Sequence, residues 1–240
     1  MILEFLSPRG QSKVLGGLQD LRAHFAQQEW SAPSVLINFV SNSKGDFVGP
    51  NGSSRGISNE LDYQALIGYR QAADGVLTTA KTARIENYGR SRFAPLALVS
   101  QSGNFTGIPA VDSATAGPTN SEVFLLVPSK IFRETRKTYT KPWVRVSKIG
   151  KAGTLRLSLA LTRLGWRRIL VEAGAAYSRF LISNHAAKFL TLTITDAGEA
   201  SPLTACKPAL DALGISGAVL DWAERVDGTL FTCWTDLSPQ

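Results

Sequence analysis

The sequence predicts an α/β fold, in which a mostly parallel sheet carries helices on both faces and an antiparallel hairpin near the C-terminus. The 240 residues are 44% hydrophobic and 19% charged, a composition that provides a sizeable core and excludes general disorder. Short apolar runs alternate with helical patterns, which is typical of parallel sheets covered on both faces. Asp227-Gly228 lies between two strand-like runs and is the strongest hairpin signal in the chain.

Helix and strand patterns alternate through the first half of the chain. An amphipathic helix is predicted over 12–29, where Val14, Leu18, Leu21 and Phe25 have helical spacing. After Pro33, the β-branched, apolar residues 34–41 predict a buried strand. Ser58 is suited to cap a helix that ends near Ala72. Further buried strands are predicted at 75–79, 95–100 and 122–127, separated by a polar segment (80–92) and a loop (101–119).

The second half continues this alternation after a basic stretch. We expect residues 129–143, bounded by prolines, to be irregular. The predicted elements are then a strand at 143–147, a helical pattern at 155–165, a strand at 167–174, a helix at 175–183, a strand at 188–195 and a hairpin at 218–234. The hairpin is expected to add antiparallel strands at the edge of the sheet. Because no repeat or linker interrupts the chain, we interpret residues 1–240 as one domain.

Charge is distributed unevenly along the chain. The net charge is +7, yet residues 130–168 contain twelve basic residues and one acidic residue, Glu134, which leaves −4 for the remainder. Such a segment favours an anionic partner or forms a solvated basic surface. Aromatic residues are not interleaved with these cations on one face, so we expect no nucleic-acid partner. The alternatives that remain at this point are a phosphorylated small molecule and a solvated basic surface.

The inventory of reactive side chains is small. Cys206, in an apparent loop, and Cys233 form no metal-binding pair or disulfide framework, and with only His24 and His185 we expect no metal site. No GxSxG elbow is present. Chemistry that needs no protein nucleophile, such as hydride transfer from a bound cofactor, therefore fits best. Without a long apolar stretch or a secretory signal, we expect a cytoplasmic protein with no membrane partner.

Ligands of parallel α/β sheets bind beyond the carboxyl ends of the strands, which directs attention to the loops after residues 41, 79, 100 and 172. The first loop contains hydroxyl and guanidinium donors suited to phosphate or sugar oxygens. Glu172 and Gly174 precede a predicted helix whose free N–H groups attract phosphate. Each loop also has an alternative interpretation, as a surface connection, a solvated ion-pair face or a strand-to-helix packing turn.

In their order along the chain, these segments resemble the reductase domain of riboflavin biosynthesis, a branch of the dihydrofolate reductase-like superfamily. The resemblance covers about 33–235 and runs through VLINFVSNSKGDFVGPNGSSRGIS, AADGVLTTAKTARIENYG, PLALVSQSGNF, LGWRRILVEAGAAYSRFLI and KFLTLTITDAGEASPL. It implies a dihydrofolate reductase-like fold, NADPH as cofactor, a phosphorylated ribosylaminopyrimidine as the small-molecule substrate, reduction of its ribosyl group by hydride transfer, and a homodimer.

The resemblance also implies roles for individual residues. Glu86 is the best candidate for handling a proton, and Lys44 for ligand electrostatics. The expected substrate-binding residues are Asn38, Ser53, Ser54, Arg55, Ser58, Asn87, Arg90 and Arg92. The expected NADPH-binding residues are Thr79, Lys81, Thr82, Ser100, Glu172, Gly174, Ala175 and Ala176. A basic residue of 130–168 is expected to hold the extra phosphate of the cofactor.

Four departures from the family pattern support a second hypothesis. Lys44 stands where Asp is usual, Lys81 where a small residue is usual, Asn87 where a second carboxylate is usual, and Ala173 where Gly is usual. Lys81 either clashes with the nicotinamide or binds a phosphate. The alternative function is therefore a catalytically degenerate homologue that acts as a nucleotide-binding or regulatory dimer.

Overall fold

The computed structural model describes residues 1–8, 10, 12–28, 30, 32–114, 122–149 and 161–239. The strands are β1 (Ile2–Ser7), β2 (Lys13–Val14), β3 (Ser34–Ser41), β4 (Gly75–Thr79), β5 (Leu96–Val99), β6 (Val123–Val127), β7 (Val144–Lys148), β8 (Arg168–Val171), β9 (Phe189–Ile194), β10 (Ile215–Val226) and β11 (Thr229–Pro239). The helices are α1 (Leu18–Ala26), α2 (Glu60–Ala72), α3 (Ala80–Ile85), α4 (Pro109–Asp112), α5 (Phe132–Thr138), α6 (Ala175–Ser183) and α7 (Pro202–Ala212), with a short 3₁₀ turn at Ser54–Gly56. The predicted helical pattern at 155–165 lies mostly outside the described residues.

All eleven strands form one sheet, in the order β2-β1-β10-β11-β9-β3-β8-β4-β5-β6-β7. The seven strands from β9 to β7 pair in parallel, and the pairings from β2 to β9 are antiparallel. This confirms the predicted fold class. The hairpin at Asp227-Gly228 is also confirmed, with both residues at positive φ (46° and 78°) as a two-residue hairpin turn requires.

Helices cover both faces of the sheet because successive strand residues point to opposite sides. In β3, Leu36 packs in the hydrophobic cluster that includes Leu21 and Phe25 of α1, whereas Ile37 packs in the cluster that includes Leu181 of α6. The glycine that begins β4 is required by this packing, since a Cβ at Gly75 would lie 2.3 Å from the Trp166 ring. The core therefore fixes the strand ends from which the functional loops emerge.

Several predicted elements were wrong in detail. The hairpin is not at the edge, because β10 pairs with β1 and β11 pairs with β9. Residues 132–138 form α5 although the basic stretch was predicted to be irregular. Cys206 lies buried in α7, not in a loop, because its neighbouring Pro208 is accommodated inside the helix.

Helix starts also differ from the predicted ones. The first helix begins only after Gly17, and Val14 belongs to β2. The cap of α2 is Asn59, whose side chain accepts a hydrogen bond from the Asp62 N–H, so Ser58 is left for another contact. Both differences arise one turn from a helix end, where several polar or glycine residues compete for the capping position.

Candidate functional site

A cleft of about 1240 Å³ lies along the carboxyl ends of the parallel strands. It is bordered by residues at or near the ends of β3, β4, β5 and β8, which include Val40, Thr79, Val99 and Glu172. In this part of the sheet β8 lies between β3 and β4, so the strand order departs from the chain order. Clefts of parallel α/β proteins form at such points because neighbouring connections leave on opposite faces.

The start of α3 is tied directly to the start of α6. Thr79 is both the last residue of β4 and the N-cap of α3, and its Oγ1 accepts a hydrogen bond from the Thr82 N–H at 3.1 Å. The Thr82 Oγ1 in turn accepts a hydrogen bond from the Gly174 N–H at 3.2 Å. Two strand-to-helix junctions therefore meet at one end of the cleft.

The α6 helix begins with unblocked backbone donors. Its N-cap is Gly174, which has no capping side chain, and Ala175 and Ala176 of the first turn line the cleft. The N–H groups of a first helical turn create a positive potential. The Tyr177 N–H donates to the Gly174 carbonyl at 3.0 Å, so the candidate donors among the described residues are the N–H groups of Ala175 and Ala176. Among the described residues, a Cβ built on Gly174 would have the Thr82 Oγ1, at 3.7 Å, as its only neighbour within 4 Å, so no described side chain blocks the approach to these N–H groups.

The other end of α3 holds the loop that follows β3. We call residues 53–58 together with Glu86 the loop wall. The Glu86 carboxylate accepts hydrogen bonds from the Ser53 hydroxyl at 2.7 Å and from the Ser54 N–H at 2.8 Å. The Arg55 guanidinium donates to the Glu86 carbonyl at 2.8 Å. Both carboxylate oxygens of Glu86 are therefore engaged in fastening this loop.

A second group of side chains lines the cleft and is less exposed to solvent. Of its four members, the sequence predicted only Glu172 as a site residue. We call Asp62, Arg70, Tyr88 and Glu172 the buried wall. The Arg70 Nε donates to the Glu172 Oε1 at 2.7 Å, and the Tyr88 hydroxyl donates to the Glu172 Oε2 at 2.6 Å. Burial opposes the charge on Arg70, but the ion pair with Glu172 raises the Arg70 pKa above its ordinary value.

Asp62 is the least usual member of the buried wall. It is 5% exposed and lines the cleft, and its Oδ2 accepts a hydrogen bond from the Ser58 hydroxyl at 2.6 Å. Burial raises the pKa of Asp62 to about 6, although hydrogen bonds from Ser58 and Thr193 act in the opposite direction. Asp62 and Arg70 lie on a helix, and Tyr88 lies just beyond one. Their spacing along the sequence gives no signal that distinguishes these site residues from ordinary core or surface residues.

Sixteen of the eighteen predicted site residues line this cleft. The two others are Lys44, which is exposed on the preceding turn, and Ser53, which is buried and bonds Glu86 from outside the lining. Asn38 accepts a hydrogen bond from the Thr191 hydroxyl at 2.9 Å, and the Ser100 hydroxyl accepts one from the Gly103 N–H at 3.0 Å. Exposed residues at the cleft include Lys81, Asn87 and Arg92.

The described parts of the basic segment, 130–149 and 161–168, do not line the cleft. Lys148 instead lies over the Phe132 ring, 4.7 Å from its centroid, and Lys141 over the Trp143 ring at 5.7 Å. The described residues of α5 and β7 belong to the far edge of the sheet, and residues 150–160 lie outside the described residues, so the expectation that a basic residue of 130–168 holds the extra phosphate of the cofactor stays a prediction.

The described residues hold neither a metal-binding cluster nor a membrane-spanning helix. They contain no group of three or more His, Cys, Asp or Glu side chains placed to hold a metal ion. None of the helices in this part of the chain combines the length and apolar character needed to cross a bilayer.

Comparison with known proteins gives a match by structure alone. No protein-family model and no curated protein sequence matches the chain. A pyrimidine reductase-like protein from Corynebacterium diphtheriae superposes with a TM-score of 0.61 at 18% identity, over 87% of this chain and 93% of that one. The riboflavin biosynthesis reductase Rib7 of Saccharomyces cerevisiae gives 0.59 at 14% identity, over 92% and 97%.

A third similar structure, RibD of Acinetobacter baumannii, has a TM-score of 0.59 at 14% identity over 87% of this chain and 58% of its own length. Similarity at these identities concerns the backbone rather than the chemistry. The chain therefore has the fold of the pyrimidine reductase-like and riboflavin biosynthesis reductases, as its sequence resemblance predicts.

Proposed function

We propose that this protein is an NADPH-dependent reductase of a ribosylaminopyrimidine phosphate, and that it works in the cytoplasm as a homodimer. The observation that carries the proposal is the arrangement of two sets of donors at the two ends of α3. At its start lie Thr79, Thr82 and the open first turn of α6. At its end lies Arg55, which donates to the Glu86 carbonyl, and Arg90 and Arg92 line the same cleft a few residues further along the chain. A six-residue helix separates its ends by about 9 Å.

The residues of the first end fit a dinucleotide. Its pyrophosphate needs backbone N–H donors with close access, and the first turn of α6 supplies them beside a glycine N-cap. The cleft volume of about 1240 Å³ exceeds the roughly 300–1000 Å³ of a pocket for one small ligand, which leaves room for a second ligand. When bound, NADPH supplies a hydride to the substrate carbon.

The chain's own residues provide binding and orientation. Thr82 fixes Gly174, and the Thr79 hydroxyl fixes Thr82, so the dinucleotide end is rigid. Arg55, Arg90 and Arg92 line the cleft and carry guanidinium groups of the kind that binds phosphate through paired hydrogen bonds. Arg55 also donates to the Glu86 carbonyl, and Arg90 lies over the Trp143 ring, 5.1 Å from its centroid. Lys81 is exposed at the cleft and is placed to add charge for a phosphate. Holding both ligands in one cleft lowers the barrier by proximity.

Substituting Gly174 by Asp tests the cofactor part of the proposal. The new carboxylate would cap α6 as aspartate does elsewhere, so folding is retained, but it would repel a pyrophosphate. We expect NADPH binding, followed by nicotinamide fluorescence, to weaken at least about tenfold, as one lost charge-assisted interaction of about 1.4 kcal/mol would produce. The matched control is Ser201→Asp, at the N-cap of α7. Equal NADPH affinity in both variants would contradict the cofactor site.

The substrate part is tested by NADPH oxidation with 5-amino-6-(5-phosphoribosylamino)uracil. Wild-type protein is expected to oxidise NADPH only when the pyrimidine is present. No turnover together with no NADPH binding would refute the reductase.

A second candidate function is a degenerate homologue that binds a nucleotide without reducing a substrate. The contacts of Glu86 favour this candidate. Both of its carboxylate oxygens accept hydrogen bonds, from Ser53 and from Ser54, so the group already has a structural role. NADPH binding without turnover, with cellular function kept in Glu86→Ala and Lys81→Ala, would select this candidate over the reductase.

A further inference from the structure

Asp62 is a buried carboxyl group that the proposed function does not yet use. It is the third residue of α2, is 5% exposed and lines the cleft. Its Oδ2 accepts a hydrogen bond from the hydroxyl of Ser58, which is half-buried and also lines the cleft. An acid at the floor and a hydroxyl beside it thus form a short chain from the protein interior to the ligand space.

A capping role does not account for this carboxylate. Acidic residues in a first helical turn favour the helix through their charge and are normally exposed. Here the cap is the Asn59 side chain, which accepts a hydrogen bond from the Asp62 N–H at 2.9 Å. The Asp62 carboxyl group is directed instead to Ser58, one residue outside the helix start. The α2 helix therefore begins in the same way without an acid at position 62.

The surroundings of Asp62 favour its neutral form. Among the described residues no cation forms a salt bridge with it, because Arg70, a cation of the same helix, donates to Glu172. The charged and titratable groups that face it are Glu172, which disfavours a second negative charge, and the buried Tyr69. Burial raises its pKa to about 6, so a sizeable protonated fraction persists at mildly acidic pH.

We propose that Asp62 stores the proton that the substrate takes up during reduction and that Ser58 relays it. The inference rests on the proposed reductase function. A reduced nicotinamide dinucleotide gives the hydride to the substrate carbon of a C=N or C=O bond, and the electron pair of that bond moves to its nitrogen or oxygen. When Asp62 is protonated its hydroxyl donates to the Ser58 Oγ, the reverse of the direction in the ionised pair, so the substrate atom takes the Ser58 hydroxyl proton while Ser58 takes the proton of Asp62. Asp62 is left as carboxylate and is reprotonated from water.

The test combines Asp62→Asn, Ser58→Ala and the control Asp211→Asn, an exposed aspartate of α7. Single-turnover oxidation of bound NADPH by the aminopyrimidine phosphate is followed against pH. For wild type and Asp211→Asn the rate constant is expected to fall about tenfold per pH unit above the Asp62 midpoint. Asp62→Asn is expected to be about 100-fold slower with that decline absent, and Ser58→Ala about tenfold slower with the decline retained.

Two measurements that need no turnover accompany the kinetics. The NADPH dissociation constant should be unchanged in Asp62→Asn, which shows that the cleft still folds. Carbon-13 NMR of the aspartate carboxyls in the ligand-free protein should show one carboxyl, missing in Asp62→Asn, that titrates about two pH units above ordinary aspartates.

The outcomes separate this inference from the proposed function. Wild-type turnover with the same rate and pH profile in Asp62→Asn would overturn the proton relay alone, as would an Asp62 carboxyl that titrates like an ordinary aspartate. Neither NADPH binding nor turnover by wild type would overturn both.

Discussion

The two walls of the cleft are built on opposite principles. The buried wall holds its charges at low exposure and in direct contact, with Glu172 bonded by both Arg70 and Tyr88. The loop wall holds Glu86 half-buried, against a hydroxyl and a backbone N–H of a turn-rich loop. Removing a partner from a buried charge is costly, whereas water replaces a partner at the surface. We therefore expect the buried wall to determine stability and the loop wall to determine ligand access.

The largest effect is expected at Arg70. Arg70→Met leaves the Glu172 carboxylate buried with Tyr88 as its one remaining side-chain donor, and this should lower the free energy of unfolding by about 3–5 kcal/mol. Urea denaturation measures the change. The matched control is Arg168→Met, which removes the more exposed ion pair with Asp74 and should cost under about 1 kcal/mol. Equal losses in both variants would erase the distinction between a buried and a surface pair.

The next effect concerns pH and Asp62. Because the folded-state pKa of about 6 exceeds the ordinary value of 3.8, the folded state binds more protons in this interval. The contribution of Asp62 to stability is therefore greatest at low pH and is lost as pH rises through about 6. Relative to wild type, Asp62→Asn should gain about 2 kcal/mol of unfolding free energy between about pH 4 and pH 7. Parallel stability curves for the two proteins would rule out a shifted carboxyl.

Tyr88→Phe removes one donor from Glu172 and keeps the ion pair. We expect a loss of about 1.5 kcal/mol in thermal or urea unfolding, less than for Arg70→Met, since Glu172 retains its charged partner. Tyr63→Phe, an exposed tyrosine at the same cleft, serves as control and should be near neutral. A Tyr88→Phe effect as small as the control would mean that its hydroxyl contributes nothing to the buried wall.

Glu86→Gln gives the smallest expected change in stability, about 1 kcal/mol or less, because water can reach the group. Its main effect should be local, as weaker hydrogen bonds loosen the loop wall. Hydrogen exchange is expected to speed up at the Ser54 amide, while the amides of β4 stay protected. Glu122→Gln, from an exposed ion pair, is the control. Faster exchange throughout the sheet would show that the two walls are not separate.

Sequence reasoning succeeded for this fold where hydrophobic burial determines structure. The runs at 34–41 and 75–79 became β3 and β4 with the predicted bounds, because consecutive apolar residues have few other ways to be buried. The helix at 175–183 was also correct. Sequence reasoning failed where tertiary packing determines the secondary structure. The cation-rich residues 132–138 form α5 because Phe132 packs against the core.

The candidate site divides in the same way. The loop wall and the junction between the starts of α3 and α6 were predictable because their donors follow predicted strands, where ligands of parallel sheets bind. The buried wall was not, apart from Glu172, because Arg70 belongs to α2 and contacts Glu172 across 102 positions of the chain. The sequence alone does not predict that a polar residue of a helix is buried, because burial depends on a hydrogen-bonding partner from a distant part of the chain. Lys44 is exposed on its turn and outside the cleft lining, so its role in ligand electrostatics stays a prediction.

Strand β7 provides another explanation for part of the high isoelectric point of about 9.6. This strand ends the described sheet and carries Arg145 and Lys148, with Lys141 close to its start. Repulsion between like charges discourages the edges of two molecules from pairing, and lysines are the residues that sheet proteins most often place there. The cations at this edge thus oppose the pairing of two sheets edge to edge, which leaves other surfaces free for a dimer. Part of the basic isoelectric point is therefore explained by protection of a sheet edge and is independent of the sign of the ligand.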